Sequence, residues 1–191
     1  RFIDQRQHGE PVAELGKAAH RIALGHAQDR HLEPGDPPGG ETLLGKALGS
    51  RRNEVLISTK VGNRFGQGPN QVGASRVNLM DAIEGALHRL GRDRIDLLQL
   101  HTWDPYSPLE DVLRTLDDAV RAGKVRYLGC SNFFAWQIMK ALSISERHGW
   151  SRLESVQAYY SIAGRDLERE IVPLAQDQQL GILVWSPLAG G

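Results

Sequence analysis

The chain has 191 residues, enough for one domain with a buried core but short of the ~250 residues of a typical complete (β/α)8 barrel. Its 23 basic and 23 acidic residues cancel, so no net field recruits nucleic acid or an anionic membrane, and no apolar run approaches the ~20 residues of a membrane span. Cys130 stands alone, which excludes an internal disulfide; with no signal-peptide core in Arg1–His8, a reducing, cytoplasmic setting is expected.

Residues 1–39 read as irregular. Glu14 to Ala23 has helical spacing, with Leu15, Ala18, Ala19, Ile22 and Ala23 near one face. The following stretch, Leu24 to Gly40, is polar, Pro/Gly-rich and without period, so it reads as loop. Glu41 to Leu48 reads as a short helix closed by Gly49.

From Val55 the pattern is regular. A strand VLIST leads to Lys60, and a Gly-rich loop runs to Gly73. Ser75 is placed to cap a helix burying Leu79, Ile83, Ala86, Leu87 and Leu90 and closed by Gly91. The strand IDLLQL ends on His101. Ser107-Pro108-Leu109-Glu110 has capping-box spacing with Pro at the first helical position, and the helix it opens is expected to bury Leu109, Val112, Leu113, Leu116 and Val120 before Gly123. Strand Val125 to Cys130 delivers Ser131-Asn132, and a helix runs from Ala135 to His148. Strand Ser155 to Ala158 delivers Tyr159-Tyr160. A helix from Asp166 to Leu180 is expected to break or restart at Pro173, and strand Ile182 to Trp185 delivers Ser186-Pro187.

Short apolar strands alternating with helices mean a parallel sheet with right-handed crossovers. No Gly-x-Gly-x-x-Gly turn follows any strand, which weighs against an open dinucleotide-binding sheet. The α/β reading is an incomplete (β/α)8 TIM-type barrel with five to six recognisable strands, in a single domain over residues 1–191. Barrels of this kind keep their chemistry at the carboxyl ends of strands. His101 and Lys60 occupy that position. A strand-end lysine also serves as a snorkelling surface group, and a strand-end histidine as a satisfied core residue, so position alone leaves both uses open.

Five stretches resemble the aldo-keto reductase family in order and spacing: GGETLLGKALGSRRNEVLISTKVG, RLGRDRIDLLQLHTWDP, LDDAVRAGKVRYLGCSNF, SVQAYYS and GILVWSPLAGG. The match runs from about residue 40 to 191. The resemblance implies a barrel oxidoreductase that binds NADP(H) and passes hydride to a small-molecule aldehyde or ketone. It makes Lys60 the lysine that lowers the pKa of a neighbouring tyrosine, and His101 the histidine that orients the carbonyl. Ser131, Asn132 and Gln157 become holders of the nicotinamide carboxamide, whose one acceptor and two donor hydrogens suit hydroxyl and amide partners. Ser-Asn after a strand is equally a helix N-cap signal. Trp185 takes the ring-stacking position, Ser186 and Leu188 contact cofactor phosphates and ribose, and Trp103 and Tyr106 line the substrate pocket. No histidine group has metal-ligand spacing, so no metal is expected.

The sequence departs from the family in one respect that bears on chemistry. The family places an aspartate, and five residues later a tyrosine, upstream of the lysine; the tyrosine is its proton donor. No tyrosine precedes Tyr106 here. Counting back from ETLLGKALG brings Asp29 near the aspartate and Pro34 near the tyrosine. Against the family the chain is expected to be truncated at both ends, without the first hairpin and strand or the last strand. Two uses follow: a carbonyl reductase weakened by loss of its acid, with Tyr106 or water as substitute donor, or a non-catalytic NADP(H)-binding relative acting as sensor or auxiliary subunit. The sequence is silent on oligomeric state.

Overall fold

The computed structural model describes residues 22–24, 39–64 and 66–189. Among the described residues six strands form one sheet in strict chain order, all pairs parallel. They are β1 (Ile22–Leu24), β2 (Leu56–Val61), β3 (Ile95–Leu100), β4 (Val125–Ser131), β5 (Leu153–Tyr159) and β6 (Gly181–Trp185). Between them lie α1 (Gly40–Leu48) with a 3-10 turn (Gly49–Asn53), α2 (Arg76–Leu90), α3 (Leu109–Arg121), α4 (Ala135–His148) and α5 (Leu167–Gln178). The sheet curls, and the whole is an incomplete (β/α)8 barrel, as expected.

Side chains alternate across each strand. In β2 the odd positions face the helices: Val61 joins the core with Leu79 and Ile83 of α2, and Thr59 donates to Glu41 of α1. The even positions Ser58 and Lys60 face the concave interior. The helix-side core continues through Leu98, Leu113, Leu116, Leu128, Ile138 and Val156, all essentially water-free. Each such aliphatic contributes roughly 1.5–3 kcal/mol relative to exposure. Glu41 is fully buried and stays tolerable because Arg89 of α2 donates to it at 2.7 Å. At the same crossing Gly45 meets the end of α2 so closely that a Cβ would lie 2.8 Å from the Leu90 carbonyl oxygen.

Several local expectations are corrected. Ile22 and Ala23 are not helical and Leu24 is not loop: the three residues pair with Leu56, Ile57 and Ser58 as β1. Ladder pairing to a neighbouring strand overrides the helical spacing of the sequence. Ser107 does not cap α3; Pro108 holds the cap position, and the Ser107 hydroxyl instead donates to Asp104 at 2.7 Å. Leu109 and Val120 are only partly buried, whereas Val112, Leu113 and Leu116 are fully so. Helix α5 passes through Pro173 without a break, because the proline sits on the solvent side, where the freed carbonyl can be hydrated. Ser75 caps α2 and Gly91 closes it at φ 63°, both as read.

Candidate active site

The carboxyl ends of the strands bring the polar residues to one rim. Lys60 pairs in register with Gln99, and Ser131 with Gln157. Lys60 is 3% exposed, and burial pulls its ammonium below the ordinary lysine range. Lys60 and His101 border one small cleft together with Asn63. Its geometry is tight: the His101 backbone N–H donates to the Val61 carbonyl at 2.8 Å, and the Asn63 amide nitrogen lies 2.9 Å from His101 Nδ1. The Thr102 hydroxyl donates to Asn63 Oδ1 at 3.0 Å.

The neighbouring strands carry a second, connected group. Asn132 Nδ2 donates to Ser131 Oγ at 3.0 Å, its backbone N–H donates to the Gln157 carbonyl at 2.9 Å, and its Oδ1 accepts from the Trp185 indole N–H at 3.1 Å. The left-handed backbone of Asn132, φ 57°, turns its amide along the rim. Ser131 and Asn132 do not cap α4, whose cap position is Phe134 with its N–H held by Gln137 at 2.8 Å. The N-cap use of this pair is thereby removed. The Trp185 ring also meets Tyr159, centroids 5.0 Å apart. Ser186, at φ 52°, opens a turn that Ala189 N–H closes back to the Ser186 carbonyl at 2.9 Å, and Leu188 is exposed on it.

Beneath the rim lies a polar belt. Gln99 Nε2 donates to Ser58 Oγ at 2.9 Å and to Gln157 Oε1 at 3.1 Å. Gly129 makes room for it: a Cβ there would come within 2.6 Å of Ser155 Oγ and 3.2 Å of the Gln99 side chain. Gln99 Oε1 and Ser155 Oγ are buried without a hydrogen-bond partner. Asn78 Oδ1 and Ser145 Oγ, away from the rim, share this state.

The two anticipated pocket residues, Trp103 and Tyr106, part company. Trp103 packs edge-on against Phe133 and Trp136, each at 5.5 Å, tying the loop after β3 to the start of α4. Tyr106 is 94% exposed and borders a different, larger cleft on the outer face, with Arg76 of α2 and Arg114 of α3. It is not brought to the Lys60–His101 cleft. Asp29 lies outside the described residues. Asn63 and Gln99 went unremarked in the sequence; Gln99 was readable as a polar residue within an apolar strand, whereas nothing local marks Asn63. Among the described residues no group of three or more His, Cys, Asp or Glu could hold a metal, and no helix is long and apolar enough to cross a membrane.

Parallel strands in chain order, with their amide, hydroxyl, lysine and histidine groups on the carboxyl rim, define a barrel-type α/β protein with its candidate site at the barrel mouth. The aldo/keto reductase family model matches residues 39–191, and the chain belongs to that family. It is 43% identical over 122 residues to a Schizosaccharomyces pombe protein whose name assigns it provisionally to the aryl-alcohol dehydrogenases, covering 64% of this chain and 34% of that one. Identity is 38% over 158 residues with the uncharacterised oxidoreductase YrpG of Bacillus subtilis, covering 79% of this chain and 48% of that one. With versiconal hemiacetal acetate reductase of Aspergillus parasiticus it is 36% over 171 residues, covering 79% and 50%. The chain therefore spans between about a third and a half of the length of these curated relatives.

Proposed function

We propose that this chain carries the carbonyl-orienting and nicotinamide-holding part of an NADP(H)-dependent carbonyl reductase acting on aldehydes or ketones. The carrying observation is the hydrogen-bonded group Ser131–Asn132–Gln157–Trp185, lying next to the strand ends that bear Lys60 and His101. Its donor set fits a nicotinamide carboxamide: two amides and a hydroxyl offer both acceptors and donors beside an aromatic face. Ser131, Asn132 and Gln157 would hold the carboxamide, Trp185 would set the ring face, and Ser186 and Leu188 would meet the remainder of the cofactor. When bound, the cofactor supplies hydride. His101 donates a hydrogen bond to the carbonyl oxygen and fixes its direction, while Trp103 bounds the substrate side. Lys60, desolvated, favours the ionised form of a proton donor beside it.

Within residues 1–191 no tyrosine precedes Tyr106, Tyr106 faces the outer cleft, and the phenol of Tyr159 at the rim accepts from Ser161 while its ring meets Trp185. A general acid is worth ~10²–10⁴-fold in rate, so turnover by residues 1–191 on their own would be slow, with water as donor. The same observation favours a second reading, a non-catalytic NADP(H)-binding relative that acts as sensor or auxiliary subunit. The names of the relatives point to aromatic and hemiacetal-derived substrates for the test panel. NADPH titration by tryptophan fluorescence, combined with NADPH oxidation over a panel of aromatic aldehydes, separates the readings. Turnover abolished by Lys60→Met and His101→Ala supports the reductase; saturable quenching without turnover supports the binding protein. Neither quenching nor turnover removes both.

A further inference from the structure

We infer that Asn63 is a positioning residue that sets the tautomer of His101, holding the ring proton on Nε2. A neutral imidazole has one donor and one acceptor nitrogen, and the bond at one nitrogen decides the state of the other. The Asn63 amide NH2 is donor only, and it faces Nδ1 at 2.9 Å; Nδ1 therefore carries the lone pair and Nε2 the proton. In this orientation the other end of the amide is satisfied as well, its oxygen accepting from the Thr102 hydroxyl at 3.0 Å. Thr102 directly follows His101, so the same two residues form both ends of a closed clamp. The backbone completes it. His101 N–H to the Val61 carbonyl at 2.8 Å fixes the spacing of the two segments, and Gly62, at φ 102°, turns the chain so that Asn63 reaches back over the ring. A residue with a Cβ is strained at that φ.

The inference rests on reading His101 as the carbonyl-orienting group, because only then does the position of its proton matter to the reaction. A directional N–H on Nε2 meets a carbonyl oxygen, whereas an Nε2 lone pair repels it.

The test is the two-bond ¹H–¹⁵N correlation of His101 in the full ¹⁵N-labelled chain at about pH 8.5, above the ordinary imidazole value of about 6.5. The wild-type spectrum is expected to show a pyrrole-type Nε2 and a pyridine-type Nδ1. Asn63→Leu removes the donor and should move both nitrogens to averaged, intermediate shifts. Asn63→Asp is nearly isosteric but supplies an acceptor, and should move the proton onto Nδ1. A wild-type Nδ1–H, or an unchanged Nε2–H in both variants, overturns the inference. NADPH oxidation measured in parallel keeps the two claims apart. Wild-type Nε2–H reversed by Asn63→Asp, in a chain without turnover, supports the role of Asn63 and removes the reductase reading alone.

Discussion

The indole N–H of Trp185 donates to the amide oxygen of Asn132 at 3.1 Å, a bond that reaches from the end of β6 to the end of β4 across β5. Two residues 53 positions apart in sequence thus hold each other at the rim, and the residue between their strands, Gln157, is drawn in through its carbonyl. On the proposed reading, a cofactor carboxamide entering here would compete for the same amide. Asn132→Ala should therefore weaken NADPH binding by tenfold or more, at about 1 kcal/mol for each hydrogen bond lost. It should also lower stability, because alanine at φ 57° costs about 1–2 kcal/mol. Asn132→Gly relieves the backbone and keeps the binding loss. Comparing the two by fluorescence titration and urea unfolding separates recognition from strain.

Lys60→Met is expected to raise stability while removing function. Burial lowers the folded pKa of Lys60 below its unfolded value. The buried charge is accordingly a cost in full below the folded pKa, and that cost fades as pH rises through the unfolded value of about 10.4. Thermal unfolding should show Lys60→Met above wild type at neutral pH and the two curves converging at strongly alkaline pH. A variant less stable than wild type at pH 7 would mean that Lys60 stabilises the fold through its contacts.

Asp104 ties the loop after β3 to the start of α2. Burial raises its pKa, but hydrogen bonds from the Ser107 hydroxyl and the Ala74, Tyr106 and Ser107 backbone outweigh this and hold the carboxyl low. A folded pKa below the unfolded value gives stability that is present above about pH 3.9 and lost as pH falls through the lower folded value. Asp117 is held low in the same way: burial opposes it, while the Ser151 backbone and hydroxyl and Arg121 prevail. Melting temperature should be insensitive to these groups down to about pH 4 and fall below it. Asp104→Asn should lose about 1–3 kcal/mol at neutral pH, since one oxygen becomes a donor facing donors, and its acid limb should be shallower.

Gly45→Ala tests the α1–α2 crossing. The added methyl would sit 2.8 and 2.9 Å from two helix-end carbonyl oxygens. Overpacking of about 1–3 kcal/mol should exceed the helix-propensity gain of up to about 1 kcal/mol, giving a lower urea midpoint.

Tyr106→Phe should change neither NADPH affinity nor any carbonyl turnover, because the phenol is 94% exposed in the outer cleft. A large loss of turnover would return Tyr106 to the site as the proton donor.

The strands β2 to β6 were legible because each is a short apolar run, and α2 because Ser75 and Gly91 mark its ends with chemistry that has few other uses. Strand β1 was hidden: Ile22 and Ala23 fall in a helical spacing pattern and Leu24 in a Pro/Gly-rich stretch, and the three become a strand only through pairing with β2. Ser107 is no cap because the helix starts one residue later, with Pro108 at the cap position, a shift that the sequence spacing does not reveal. The rim followed from strand ends, but its wiring did not. Asn63 meets His101 across 38 residues and Gln99 meets Gln157 across 58, and such pairs leave no trace in local spacing.

The strict chain order of the sheet also has a kinetic consequence. Every strand hydrogen-bonds to the strand just before or after it, so no pairing requires a distant segment to arrive first. Each of these parallel pairings still closes over an intervening helix, so the sheet forms through non-local contacts and grows slowly, one strand–helix unit at a time. Amide exchange should be slower in the wholly buried β3 than in β6, whose residues remain partly open to solvent. The indole–amide bond between Trp185 and Asn132 then acts as a latch on the more labile of the two, and ligands that engage it should slow exchange in β6 before they slow it in β3.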